Sequence, residues 1–355
     1  MKKMILAICA ALMVSASAVG CRRDAAGPTM SVIFVGDTGL GDQAVEFVER
    51  YGLDKSFEKI RDALQADFII GNAETPIAAA DVPLREGEPW HPKQVPETAA
   101  VYKKEGFSAF SLANNHALDF GVEGLRQTIA NLRVQGIRTY GAGMSESEAR
   151  RPLILEKNGI RVGVLGYFHY RQKYIAKEMW YAHGDKPGVA GMSKKNLRDD
   201  IAALKGKVDT VVATPHWGEN YIKLKAKQKR LAQGAVTAGA DLIIGHGPHM
   251  AHPVVLIDGT PVVYSVGNFI WHSKGLYKKF KVEKYAYALV TKVVFDKNGA
   301  REIVFTPYHN DNRQVKFIPQ PIDAAQAKAL FDELLAPVKK HWKMNGASAV
   351  FTVPR

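Results

Sequence analysis

Ser111 to Gly121 reads SLANNHALDFG. The run leading into it, Phe107 to Ala113 (FSAFSLA), is apolar and short, which predicts a buried strand. Beyond it, Val122, Leu125, Ile129 and Leu132 recur at helical spacing, so Val122 to Arg133 predicts an amphipathic helix. Asn114, Asn115, His116 and Asp119 therefore fall where a strand gives way to a helix. Amide, imidazole and carboxylate groups crowded there can bind a metal, orient a substrate and move a proton. Asn and Asp also favour turns and caps for local reasons. Asp119 is thus either a helix cap or the carboxylate that holds the His116 ring.

The same arrangement recurs along the chain. Ser31 to Val35 (SVIFV) runs into Gly36-Asp37, and Phe68 to Ile70 runs into Gly71-Asn72-Ala73-Glu74. Asp209 to Ala213 ends in Thr214-Pro215-His216, and Asp241 to Ile244 ends in Gly245-His246-Gly247-Pro248-His249. Pro261 to Ser265 ends near Gly267-Asn268. Helical patterns separate most of these runs: Gln43 to Leu64 with a break near Gly52, Glu97 to Glu105, Ser193 to Leu204 and Gln228 to Ala238. Alternating strands and helices predict an α/β fold with a mostly parallel sheet covered on both faces. Such sheets bind ligands outside the carboxyl ends of their strands. Asp37, Glu74, Asn115, His116, His216, His246, His249 and Asn268 would then share one crevice. Pro152 to Leu155 and Arg161 to Tyr167 predict a hairpin about Lys157-Asn158-Gly159. Phe168 to Gly191 is irregular and rich in aromatic and basic residues, including Arg171. It is either a lid that offers Tyr167 and Arg171 to a ligand or a loop whose aromatics are buried. After a second hairpin (Tyr285 to Phe295, Arg301 to Phe305), Asp323 to Trp342 predicts a helix and Asn345 to Arg355 a loose end.

The first twenty residues have the form of an export signal: Lys2 and Lys3, an apolar stretch from Met4 to Val14, then small residues to Gly20. Two cleavage readings stand. Ala16-Ser17-Ala18 suits ordinary secretion, and Ala18-Val19-Gly20-Cys21 suits lipidation at Cys21, which would tether a soluble domain to a membrane. The chain has 2 cysteines, Cys9 and Cys21, so mature protein holds no disulfide and its stability must come from its core. Residues 21–30 form the tether. The formal charge of +13 favours anionic partners such as wall polymers, lipid head groups and polycarboxylates. An exported chain without a nucleic-acid motif is not expected to bind nucleic acid.

Taken in order, GD at Asp37, NAET at Glu74, SLANNHALDFG, GAG (Gly141 to Gly143), LGY (Leu165 to Tyr167), PGVA (Pro187 to Ala190), HWGENY (His216 to Tyr221), GADLIIGHGPHM and VVYSVGNF resemble the CapA family. That family is associated with capsule and poly-γ-glutamate synthesis, and the likeness runs from about Ser31 to Trp271. CapA proteins are similar in turn to calcineurin-like metallophosphoesterases. The resemblance implies a four-layer αββα sandwich with its site at the strand carboxyl ends, spanning 31–275 and completed by a hairpin and helix in 276–355. It implies a divalent ion or two (Mn, Zn, Fe or Mg) held by Asp37, Glu74, Asn115, His216 and His249, with His246 as a further candidate. His116 would be the acid or oxyanion-stabilising group, backed by Asp119. Asn114, Trp217, Glu219 and Asn268, with Tyr167 and Arg171, are the candidate substrate contacts. The pattern departs from the phosphoesterases at Gly39 and from many relatives at Gly247, where each has a histidine. With the export signal, the resemblance implies an exported envelope protein, lipid-anchored on the Cys21 reading of the cleavage site. It would be either a metal-dependent hydrolase or transferase of an anionic polymer or its precursor, or a non-catalytic partner in a synthesis or export complex.

Overall fold

The computed structural model describes residues 27–84, 92–175 and 180–355. The export signal and Cys21 lie outside these residues. In β1 (Met30–Gly39), Val32 and Phe34 pack into one core while Ile33 and Val35 pack into another, as the two-residue repeat of a strand requires. Beside it run β2 (Phe68–Ala73), β3 (Ala109–Ser111) and β4 (Arg138–Tyr140), all parallel. On its other edge, Asn268–Trp271 pairs in parallel near the carboxyl end of β1, and Tyr287–Asp296 pairs antiparallel along its first half. Gly299–His309, Ser348–Thr352 and Trp342–Asn345 continue outward to complete a 10-stranded sheet, with Gln320–Pro321 against Gly299–His309.

A second sheet of 7 strands runs in the order Val254–Ile257, Thr260–Val263, Leu242–Ile244, Thr210–His216, Ile160–His169 and Leu153–Lys157, with Gly191–Met192 beside Ile160–His169. Its middle strands are parallel, so their carboxyl ends share one rim. The hairpin expected about Lys157-Asn158-Gly159 closes here, with φ of 52° at Asn158 and 75° at Gly159, the left-handed pair a tight two-residue turn needs.

Three cores give the layering. Val32, Phe34 and Ile70 from the large sheet meet Val162, Val164, Val212, Leu242 and Ile244 from the small one. The outer face of the large sheet packs on helices Thr98–Lys104 and Gly121–Val134 through Tyr102, Leu125 and Leu132. The outer face of the small sheet packs on Lys194–Leu204 and Ala226–Thr237 through Leu197, Ile201, Ala232 and Ala235. The result is an α/β sandwich layered helix, sheet, sheet, helix. Each sheet therefore has one helical face, where the strand–helix alternation alone predicts one sheet with two.

Three expectations are corrected. The helix expected over 323–342 stops at Leu334, followed by a 3₁₀ turn at Ala336–Val338. The loose end expected over 345–355 instead holds the strand Ser348–Thr352, because Ala349 and Phe351 are fully buried in the intersheet core. Over Gln43 to Leu64 the break expected near Gly52 is present, but the α-helix covers only Val45–Tyr51 and short 3₁₀ turns replace the helix expected beyond it.

Candidate metal centre

Asp37 owes its position to an irregularity in its strand. The β1–β2 pairing shifts register between Phe34 and Asp37, which breaks the strict alternation and re-aims the side chain. Gly36 allows this: a Cβ there would sit 1.9 Å from the Gly267 carbonyl oxygen. Asn72 at the end of β2 donates from Nδ2 to Asp37 Oδ1 at 2.8 Å, and Asp37 Oδ2 lies 3.1 Å from His249 Nδ1. Glu74 follows β2, its backbone N–H on the Thr38 carbonyl at 3.1 Å. Both Glu74 carboxylate oxygens are buried without a hydrogen-bond partner.

Asp37, Glu74 and His249 each offer one ligand atom, all within 4.8 Å of one another, and all three are buried. A buried carboxylate with nothing to bond is costly. Two carboxylates and an imidazole at this spacing fit a divalent cation. His249 is prepared for that task. Its Nδ1–H donates to Asn268 Oδ1 at 2.8 Å, leaving Nε2 on the Glu74 side, 3.9 Å from Oε1. Asn268 is held by Tyr277, whose hydroxyl accepts from Asn268 Nδ2 and donates to the His249 carbonyl. Trp271 stacks on the ring at 4.8 Å.

The electrostatics follow from this enclosure. Burial would raise the Asp37 carboxyl, but the hydrogen bond and charge of His249, with His216 and His246 behind, hold it below its usual range. Glu74 is raised well above 4.5, first by burial and then by Asp37. Burial holds His216 well below 6.5.

The other expected residues divide. His216 and Asn115 meet each other, His216 Nε2 lying 2.7 Å from Asn115 Oδ1 and 3.4 Å from Glu74 Oε1, with Nδ1 3.2 Å from Asn72 Nδ2. They border the Asp37–Glu74–His249 group. His116 Nδ1 lies 2.6 Å from Asp119 Oδ2, so Asp119 holds the ring; the helix Gly121–Val134 starts without a side-chain cap. Asn114 braces β2, donating to Asn72 Oδ1 and the Ala73 carbonyl, and accepts the His116 N–H. His246 turns its Nε2 to the Val35 carbonyl at 3.2 Å. Asn268 orients His249 as described. Tyr167 and Trp217 are corrected as substrate contacts. Both are fully buried in the outer core of the small sheet, Tyr167 donating to Asp200 and Trp217 Nε1 to the Tyr264 carbonyl. Alternation within Ile160–His169 sends Tyr167 to the helical face, and Trp217, just past the end of Thr210–His216, packs into the same core. In the irregular segment Tyr174 and Trp180 are buried too, so much of its aromatic content is packing. Arg171 and Glu219 border a small basic cavity beside His169. Sequence reasoning missed Asn72, Trp271 and Tyr277. Asn72 had a signal in its place at a strand end two residues before Glu74; the other two had none.

The model of the family described as bacterial capsule synthesis protein PGA_cap matches residues 31–273. The chain is 29% identical to the PGA biosynthesis protein CapA of Bacillus subtilis over 91% of its own length and 82% of that protein's. It is 32% identical to the capsule biosynthesis protein CapA of Bacillus anthracis over 68% of its length, spanning 60% of that relative.

Proposed function

Since this chain belongs to the bacterial capsule synthesis protein family PGA_cap, we propose that it is a metal-dependent hydrolase or transferase acting on an anionic envelope polymer, a capsule or poly-γ-glutamate chain or its precursor. The observation that carries this is the pair of buried, unpartnered oxygens of Glu74 facing Asp37 and His249. The names of the two Bacillus relatives support the substrate class. The two sheets, with their strand ends on one rim, support a metallophosphoesterase-like arrangement. On this reading the protein works at the envelope, exported and lipid-tethered at Cys21, within a synthesis or export complex.

Asp37, Glu74 and His249 would hold the divalent cation. When bound it supplies Lewis acidity and a water of lowered pKa. The chain's own residues do the rest. Asn268 and Asp37 together keep the proton of His249 on Nδ1, and Asn72 fixes Asp37 through Oδ1. Asp119 accepts from His116 Nδ1 and orients the ring, whose imidazolium form would pass its Nε2 proton to the leaving group. The near-complete burial of these groups excludes bulk water and strengthens every charge interaction among them.

Elemental analysis of the mature protein, paired with phosphoester and amide hydrolysis assays, tests this. The expected result is bound divalent metal and an activity that His116→Ala lowers roughly 100-fold or more with metal content retained. One observation favours a non-catalytic polymer-binding role instead. Gly247, with φ of 104°, has no room for a side chain, since a Cβ would lie 2.9 Å from His216 Nε2. Metal-free protein that binds poly-γ-glutamate and cleaves nothing would establish that second reading.

A further inference from the structure

Two residues past His216, the chain borders a cavity of about 170 Å³ whose walls carry Arg171, Lys225 and Lys227 against one acid, Glu219. We propose that this cavity is a carboxylate-binding subsite, which seats an acidic group of the polymer beside the Asp37–Glu74–His249 centre. The inference rests on the reading of the substrate as an anionic polymer and adds where a neighbouring acidic unit is held.

The cavity adjoins the centre. Phe168 lies edge-on to the His216 ring at 5.7 Å and stacks on His169, a cavity residue, at 5.6 Å. The Arg171 charge reaches both Glu74 and His216, lowering the pKa of each. Arg171 is fixed in place: its Nε donates to His169 Nε2 at 2.5 Å and its Nη2 to the Gly218 carbonyl. Burial, then Arg171 and Lys227, bring His169 down to about 3, so the ring stays neutral and can accept that bond.

The cations have donors to spare. Lys225 uses one on Glu219 at 2.8 Å, and Lys227 uses one on the Tyr170 carbonyl at 3.0 Å. An ammonium carries three donors and a guanidinium five, so both lysines and Arg171 keep hydrogens for a ligand. Gln228 lines the same wall but keeps its unpartnered Nε2 buried against Gly218, so the ligand contacts fall to Arg171, Lys225 and Lys227. Glu219 in the same wall disfavours a dianion such as phosphate more than a carboxylate.

The test is calorimetric binding of a short poly-γ-glutamate oligomer to the cation-loaded protein. It compares wild type, Lys225→Ala/Lys227→Ala, the charge-keeping Lys225→Arg/Lys227→Arg, and Lys194→Ala/Arg230→Ala in the groove between the outer helices. Thermal unfolding and metal content show that each variant is folded and loaded. The expected result is a loss of roughly tenfold or more in the first pair, about 1.4 kcal/mol per decade. The arginine pair should recover most of it, and the distant pair should bind as wild type. An equal loss in the distant pair, or none in Lys225→Ala/Lys227→Ala, overturns the subsite and leaves the polymer reading intact. Wild type that binds no oligomer overturns the polymer reading itself. A polyglycerol-phosphate probe that binds more tightly through the same lysines overturns the choice of carboxylate.

Discussion

Glu74 concentrates the chemistry of the centre in one side chain. Its carboxyl is raised above 4.5 by burial and by Asp37, so the folded protein keeps a proton that the unfolded chain has already lost. Over that interval the native state binds more protons than the unfolded state, and the stability of cation-free protein falls as pH rises. A cation must expel the proton, so its stabilising effect grows with pH and should be larger at pH 8 than at pH 5.5. At a hundredfold excess over Kd the gain is about 2.7 kcal/mol, a rise of several degrees in Tm. His216, held neutral by burial, contributes the opposite slope below 6.5, so the difference between wild type and Glu74→Gln isolates the carboxyl. Glu74→Gln should abolish the cation-induced rise and flatten the alkaline decline. A rise that survives the substitution would put the cation elsewhere. Asp119 shows how a local reading resolves: its carboxylate could serve the helix or the imidazole, and 2.6 Å to His116 Nδ1 decides for the imidazole.

Among elements, the strands were legible wherever apolar runs ended in Gly, Asn or Asp, and their interiors alternate as expected. The tail was misread because a five-residue strand with three buried residues leaves too short a pattern beside Gly346 to stand out from a loop. Its burial makes a clear prediction. Phe351, fully buried in the same core as Phe305 and Phe331, should cost about 3–5 kcal/mol when cut to Ala, measured by urea unfolding. Val134, 80% exposed at the end of its helix, should change stability by less than about 0.5 kcal/mol as Val134→Ala. A Phe351→Ala loss below about 1 kcal/mol would mean that the last strand is not part of the cooperative core. The helix expected over 323–342 was cut short by Pro337 just past Leu334, since the ring removes a donor and crowds the preceding turn.

At the scale of the whole molecule the centre joins two sheets. Asp37 and Glu74 belong to strand ends of the large sheet, and His249 follows the strand Leu242–Ile244 of the small one. A cation shared by all three would pin the sheets together at the rim. Hydrogen exchange should therefore slow on adding the cation in segments 35–39, 72–75 and 246–250 together, while 345–355 exchanges as before. Protection confined to one sheet would rule out a shared ion. The order of motifs, the positions of the acids and imidazoles at strand ends, and the family they spell were set by the sequence alone, because strand termini and turn residues are local properties. The family resemblance already implied two sheets, which the strand–helix alternation by itself did not; only the tertiary structure decided that Asp37, Glu74 and His249 converge while His216 pairs with Asn115. It also decided that Tyr167 and Trp217 face away from the rim. Those outcomes depend on strand register and on which face each sheet buries, and a one-residue shift reverses a side chain without changing the apolar pattern that announced the strand.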